Sequence, residues 1–142
     1  MLIGHKTLIA FKRIVIIVQG YGLTESSPVA FVEDGKKFSS IGKNISNCKA
    51  RLVHLETQKD IDTPGETGEL WIHGPHVMKG YWNDEASTKA TLTEDRWLKT
   101  GDVAYFDEDH DFFITDRMKE LIKVKGFQVK VCSAIKRISF LS

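Results

Sequence analysis

Three stretches of this sequence hold residue types that could do chemistry together. The first is QGYGLTE, Gln19 to Glu25, where Gly20 and Gly22 would let a backbone approach a ligand closely and Tyr21 offers a flat face for stacking. Thr24 and Glu25 add a hydroxyl and a carboxylate suited to a hard cation such as Mg²⁺. The same residues also make an ordinary turn with solvated polar groups. The second stretch is WLKTGD, in which Gly101 could bend the chain so that Asp102 enters a cleft and its two oxygens accept paired hydroxyls, such as those of a ribose. An aspartate after Thr-Gly can equally bond its own backbone in a turn. The third, Thr115 to Val129, gathers Arg117, Lys119, Lys123 and Lys125 against Asp116 and Glu120. These cations would meet phosphate groups, or would protect a solvated edge strand.

The elements that must carry these residues follow from pattern. IVIIV, Ile14 to Val18, is a continuous apolar run bounded by Lys12, Arg13 and Gln19, which predicts a strand buried on both faces, as in a parallel sheet. Ligands of open α/β sheets lie beyond the carboxyl ends of such strands, where QGYGLTE begins. Ile41 to Leu55 reads as β structure, DTPGETGE as a loop dense in turn formers, and GELWIHG as a half-buried strand with Leu70 and Ile72 inward and Glu69, Trp71 and His73 outward. A short helix is predicted between Asn83 and Thr91, capped by Asn83 with Asp84 and Glu85 in its first turn. IKVKGFQVKV alternates around a Lys-Gly step, predicting a hairpin that turns at Lys125 and Gly126.

Composition narrows the field. The chain of 142 residues is long enough for one modest domain, and a formal net charge of +1 provides no general attraction to nucleic acid or an anionic membrane. Cys48 and Cys132 form neither a disulfide framework nor a zinc pattern, which fits a reducing compartment. His73 and His76 lack a third ligand nearby. The acidic run DEDHD, Asp107 to Asp111, fails the EF-hand pattern, because its sixth position is Phe112 and its twelfth Met118. A hairpin turn between VAYF and FFIT accounts for it. Ile14 to Val18 is too short for a signal-peptide core or a membrane span.

QGYGLTE, GELWIHGPHVMKGYW, WLKTGD and DRMKELIKVKGFQV, in that order, resemble the carboxyl-side motifs of the adenylate-forming, AMP-binding enzymes. The similarity is greatest to acyl-CoA synthetases of the 4-coumarate:CoA ligase type and their luciferase-like relatives, and runs from about Gln19 to Val129. The resemblance implies a ligase that adenylates a fatty or aromatic carboxylic acid with ATP and Mg²⁺, then passes the acyl group to coenzyme A. It implies that Gln19, Gly20 and Tyr21 border the adenine, that Thr24 contacts the α-phosphate and that Glu25 holds the metal. Asp102 and Arg117 would hold the ribose hydroxyls, and Lys119 would be the pivot of a mobile lobe. Lys123 would serve near the acyl-adenylate, Lys125 and Gly126 beside coenzyme A, and Gln128 near the nucleotide.

The implied fold is α/β with a β-barrel-like subdomain. Residues 1–38 would end the parallel-sheet AMP-binding subdomain, 39–115 would form the barrel-like unit, and 116–142 would be the hinge and the start of the C-terminal lobe. The family's phosphate-gripping loop ending in Pro-Lys-Gly and its C-terminal adenylation lysine have no counterpart in this sequence, so an internal piece of a synthetase, inactive in isolation, is expected. A non-catalytic nucleotide-binding or interaction module and a luciferase-like adenylating enzyme are the alternatives. A soluble intracellular protein, cytoplasmic or peroxisomal, is expected, although Phe140-Leu141-Ser142 is not a Ser-Lys-Leu ending.

Overall fold

The computed structural model describes residues 18–37, 39–118, 121–124 and 127–130, the last two segments as backbone only. The apolar run Ile14 to Ile17, and with it the predicted parallel strand, lies outside the described residues. Every strand pair among them is antiparallel. A small sheet joins β1 (Gly20–Tyr21), β2 (Phe31–Val32) and β3 (Lys43–Asn44) in that order. A five-stranded sheet follows, built from β4 (Lys49–Val53), β5 (Asp60–Ile61), β6 (Gly68–His73), β7 (Leu98–Phe106) and β8 (Phe112–Arg117), in the order β5-β4-β6-β7-β8.

Among the described residues this sheet is open and closes into no barrel, which corrects the closed form that a barrel-like subdomain would take. β5 and β8 are opposite edges and do not pair. The small sheet meets the β8 edge instead: the Ile41 amide donates to the Phe112 carbonyl, and the Phe112 amide to Gly42. With only two residues, β5 is too short to extend the sheet around to a closing partner.

One face of the sheet forms the core. Cross-strand partners share a face, so the pairs Leu52–Leu70, Ile72–Leu98, Ala104–Ile114 and Phe106–Phe112 place their side chains together. Phe31 of β2 packs into this layer with its ring 5.1 Å from that of Phe112, and is fully buried. Burial of a phenylalanine stabilises by about 2–3 kcal/mol. Cys48 belongs to the same core, where burial pushes its thiol up to about 11 and leaves it unreactive near neutrality.

β6 departs from the half-buried reading. Glu69 and Trp71, expected in solvent, are buried along with Leu70 and Ile72. The outer face is covered by its own polar groups: the Arg51 guanidinium lies 4.7 Å from the Trp71 ring and 4.3 Å from that of Trp97, and Lys99 adds a second cation 5.3 Å from Trp71. Alternation alone assigns that face to water, whereas arginine and lysine stems can cover it.

The helix α1 (Glu85–Thr91) forms with a shifted cap. Asp84 accepts from the Ser87 amide at 2.9 Å, while Asn83 sits one step earlier at φ 51°. The hairpin β7–β8 turns at DEDHD as expected, and adds a partner from far away in sequence. Lys37 Nζ lies 2.5, 2.6 and 3.0 Å from Asp107, Asp109 and Asp111. Asp107, then Asp109 and Asp111, hold the ammonium well above its usual value. The predicted C-terminal hairpin also forms: β9 (Leu121–Val124) pairs with β10 (Phe127–Lys130), Val124 opposite Phe127. No helix among the described residues is long and apolar enough to cross a membrane.

The two glycines of QGYGLTE serve different ends. A Cβ at Gly22 would lie 1.7 Å from the Pro28 carbonyl oxygen and 2.9 Å from Val29 Cα, whereas at Gly20 the nearest atom would be the Phe31 carbonyl oxygen at 3.8 Å. Gly22 is therefore required by the chain's own return, whatever else approaches it. Gly22→Ala is expected to lower stability by about 3 kcal/mol, because backbone cannot swing aside as a side chain does. Gly20→Ala should cost less than about 1 kcal/mol. Urea unfolding of both variants checks this, and equal midpoints would show that the two turns are packed alike.

Candidate functional site

Asp102 is where two irregularities of the sheet meet. Between β6 and β7, Glu69 pairs with Val103 and Trp71 with Lys99, so two extra residues of β7 bulge opposite Leu70. Because the insertion is even, Leu98 and Ala104 stay on the core face on either side of it. Between β7 and β8, Val103 pairs with Asp116 and Ala104 with Ile114, leaving Thr115 as the extra residue. Gly101 takes φ +73° in the first bulge, and an added Cβ there would meet nothing within 4 Å. Its requirement is conformational, since the left-handed region is costly for residues with a Cβ.

Local bonds hold the bulge. Thr100 Oγ1 donates to the Leu70 carbonyl at 2.7 Å and accepts from the Asp102 amide at 3.1 Å. Asp102, only 3% exposed, accepts from the Tyr21 hydroxyl at 2.6 Å through Oδ2 and from Arg117 Nε at 2.9 Å through Oδ1. Burial first, then the Asp102 carboxylate, pushes the Tyr21 hydroxyl well above the usual tyrosine value. The Tyr21 ring rests edge-on against Phe31, its centroid 5.8 Å away. Tyr21 thus braces Asp102 from outside the lining of the cleft described below.

The second carboxylate is set from the opposite side. Thr24–Ser26 forms a 3₁₀ turn closed by the buried Ser26 hydroxyl, which accepts from the Leu23 amide at 2.9 Å and donates to the Leu23 carbonyl at 3.0 Å. Glu25 Oε1 accepts from the Tyr81 hydroxyl at 2.8 Å, and the Glu25 carbonyl accepts from the Met78 amide at 2.8 Å. The bond to Glu25 is the main reason the Tyr81 hydroxyl titrates higher than usual. Arg96 steadies this loop from behind, its guanidinium donating to the carbonyls of Met78 and Lys79 at 2.8 and 3.0 Å.

Between the two carboxylates lies a cleft of about 600 Å³ whose walls include Glu25, Asp102 and Arg117 together with Glu69, Tyr81 and Lys99. It therefore unites residues from all three stretches singled out in the sequence. Gln19, Gly20 and Thr24 are exposed and lie outside its lining. Lys123 and Gln128 sit opposite each other in β9 and β10, with side chains outside the description, and Lys119, Lys125 and Gly126 lie outside the described residues. Sequence reasoning missed Tyr81, Ser26, Thr100 and Glu69. The Gly-Tyr-Trp step after MK was the available signal for Tyr81, whereas strand alternation pointed Glu69 the wrong way.

Comparison with known proteins identifies a family for the chain. A family model described as AMP-binding enzyme matches residues 3–82. The chain is 48% identical over 119 residues to 4-coumarate–CoA ligase-like 6 of Arabidopsis thaliana, covering 81% of this chain and 21% of that protein. Among solved structures, O-succinylbenzoate coenzyme A synthetase from Bacillus subtilis in complex with AMP matches with a TM-score of 0.75 and 28% identity, over 89% of this chain and 26% of that one. The same enzyme with ATP and a magnesium ion matches at 0.70 and 31% identity, over 80% and 24%. The chain spans about a fifth of the length of the curated relatives it matches.

Proposed function

Because this chain belongs to the AMP-binding enzyme family, we propose that its cleft is the adenylate wall of an ATP-dependent acyl-CoA ligase. The observation that carries the reading is the convergence of Glu25, Asp102 and Arg117, drawn from three separate motifs, on one cleft. In the proposed reaction a carboxylate oxygen of a fatty or aromatic acid attacks the α-phosphorus of ATP, and the bond to the β-phosphate breaks to release pyrophosphate. The thiol of coenzyme A then attacks the acyl carbonyl, its proton is lost, and AMP leaves. Much of such a reaction is positioning and charge neutralisation, which hydrogen-bonding and charged side chains supply.

Asp102 accepts the ribose hydroxyls through the lone pairs that Tyr21 and Arg117 leave open, and the remaining guanidinium donors of Arg117 reach the same hydroxyls. Tyr21, with Gln19 and Gly20, borders the adenine, and Thr24 contacts the α-phosphate. Lys119 is the pivot beyond Arg117. Lys123 serves near the acyl-adenylate, Lys125 and Gly126 beside coenzyme A, and Gln128 near the nucleotide. Glu25 fits Mg²⁺: Tyr81 bonds one of its oxygens, and the other has no hydrogen-bond partner among the described residues. Mg²⁺ retains waters and takes one or two carboxylates along with substrate phosphates, whose charge it neutralises when bound.

Calorimetry on the 142-residue chain tests the reading. AMP should bind the unmodified chain, and Glu25→Gln should leave that affinity nearly intact. The same variant should reduce the magnesium-dependent gain in ATP affinity by about tenfold, since it keeps shape but loses the charge that attracts the metal. Failure of both nucleotides to bind would dismiss the adenylate wall. An unchanged magnesium dependence in Glu25→Gln would remove that carboxylate from the metal.

A further inference from the structure

We propose that Glu69 is the positioning residue of Asp102: its carboxylate fastens the β7 bulge to the indole of Trp71, and so sets where the Asp102 carboxylate stands in the cleft. The inference rests on the reading of Asp102 as a nucleotide contact, and its structural half stands apart from that reading.

Glu69 is 8% exposed and forms no ion pair within 4 Å of Lys, Arg or His among the described residues. A buried carboxylate is costly unless its oxygens are bonded. Both are: Oε2 accepts from Trp71 Nε1 at 2.7 Å, and Oε1 from the Gly101 amide at 3.1 Å. The Trp71 anchor is itself held, because Arg51 stands over its ring and over that of Trp97. The Gly101 amide is a donor that the two-residue bulge removes from the regular ladder, since pairing jumps from Trp71–Lys99 to Glu69–Val103. Glu69 supplies the missing acceptor, while Thr100 satisfies Leu70 and Asp102 on either side. A buried amide needs such a partner. Gly101 directly precedes Asp102, so a rotation of this peptide moves the carboxylate relative to Tyr21 and Arg117.

Glutamine is the discriminating replacement. It keeps the volume, but its amide group presents one acceptor and one donor to two N–H donors, so either the Trp71 or the Gly101 bond must fail. In ¹H–¹⁵N spectra of the 142-residue chain, Glu69→Gln should move the Gly101 and Asp102 amide resonances and the Trp71 indole resonance. Amide exchange at Gly101 and Asp102 should become about tenfold faster, while Leu52 and Leu70 keep their protection. AMP affinity, by calorimetry, should fall about tenfold. Trp71→Phe, which removes one donor and leaves the Gly101 bond possible, should change the same two amides in the same direction by less. Unaltered Gly101 and Asp102 amides would overturn the proposal, as would an equal loss of protection across the whole sheet in both variants or AMP binding as tight as in the unmodified chain. If the unmodified chain binds no AMP, the nucleotide reading falls, and the amide exchange alone decides whether Glu69 positions Asp102.

Discussion

Asp102→Ala is expected to weaken AMP binding about a hundredfold, the largest single loss in the cleft. Two hydroxyl contacts to a charged acceptor, at about 1.5 kcal/mol each, amount to about 3 kcal/mol, or roughly two decades in affinity. Stability should fall less than for a fully buried ion pair. Breaking such a pair costs about 3–5 kcal/mol because a charge is left stranded, but the Arg117 side chain is 64% exposed and can turn into water. The remaining penalty is the Tyr21 hydroxyl, which loses its acceptor in a largely buried place, so a loss of about 2 kcal/mol is expected. Calorimetric titration with AMP and urea unfolding measure the two quantities. An affinity within a factor of two of the unmodified chain would take Asp102 out of the nucleotide site, whatever the urea unfolding showed.

The second large effect is in alkali. Tyr21 keeps its proton to a higher pH in the folded chain than in the unfolded one, because burial and the Asp102 carboxylate both disfavour the phenolate. Above about pH 10 the unfolded chain therefore releases a proton that the folded chain retains, and stability falls as pH rises. The contribution is fully present below the unfolded value and is lost on the way to the folded one, with a slope of about 1.4 kcal/mol per pH unit. Tyr21→Phe removes that titration. The variant should be less stable near neutrality by about 1 kcal/mol for the lost bond, and its stability should decline more gently between pH 10 and 11. Parallel curves for the two proteins across that interval would mean that neither burial nor Asp102 holds the Tyr21 proton in the folded chain. Tyr81 shifts in the same direction through Glu25, so Tyr81→Phe in the same scan separates the two contributions.

What the sequence determined by itself lies within short spans. Turn chemistry placed the DEDHD hairpin and the strand pair around Lys125 and Gly126, and a capping signal located α1 to within one residue of its true cap. Four ordered motifs were enough to name the family, because their order and spacing together are far more specific than any one of them. The exposure of β6 was misread for a physical reason: alternation records which residues are apolar, not what covers the other face, and Arg51 and Lys99 cover it from neighbouring strands. Closure of the sheet could not be read either, since it depends on whether β5 and β8 meet, which no local pattern encodes. Only the tertiary structure decided which of the candidate residues meet. Tyr21 meets Asp102 across 81 positions, Tyr81 meets Glu25 across 56, and Lys37 reaches the acidic turn across 70 or more. Such pairings follow from strand order and register. A bulge of two residues, invisible in the letters Thr-Gly-Asp, changes which side chains face one another while leaving every local propensity as it was.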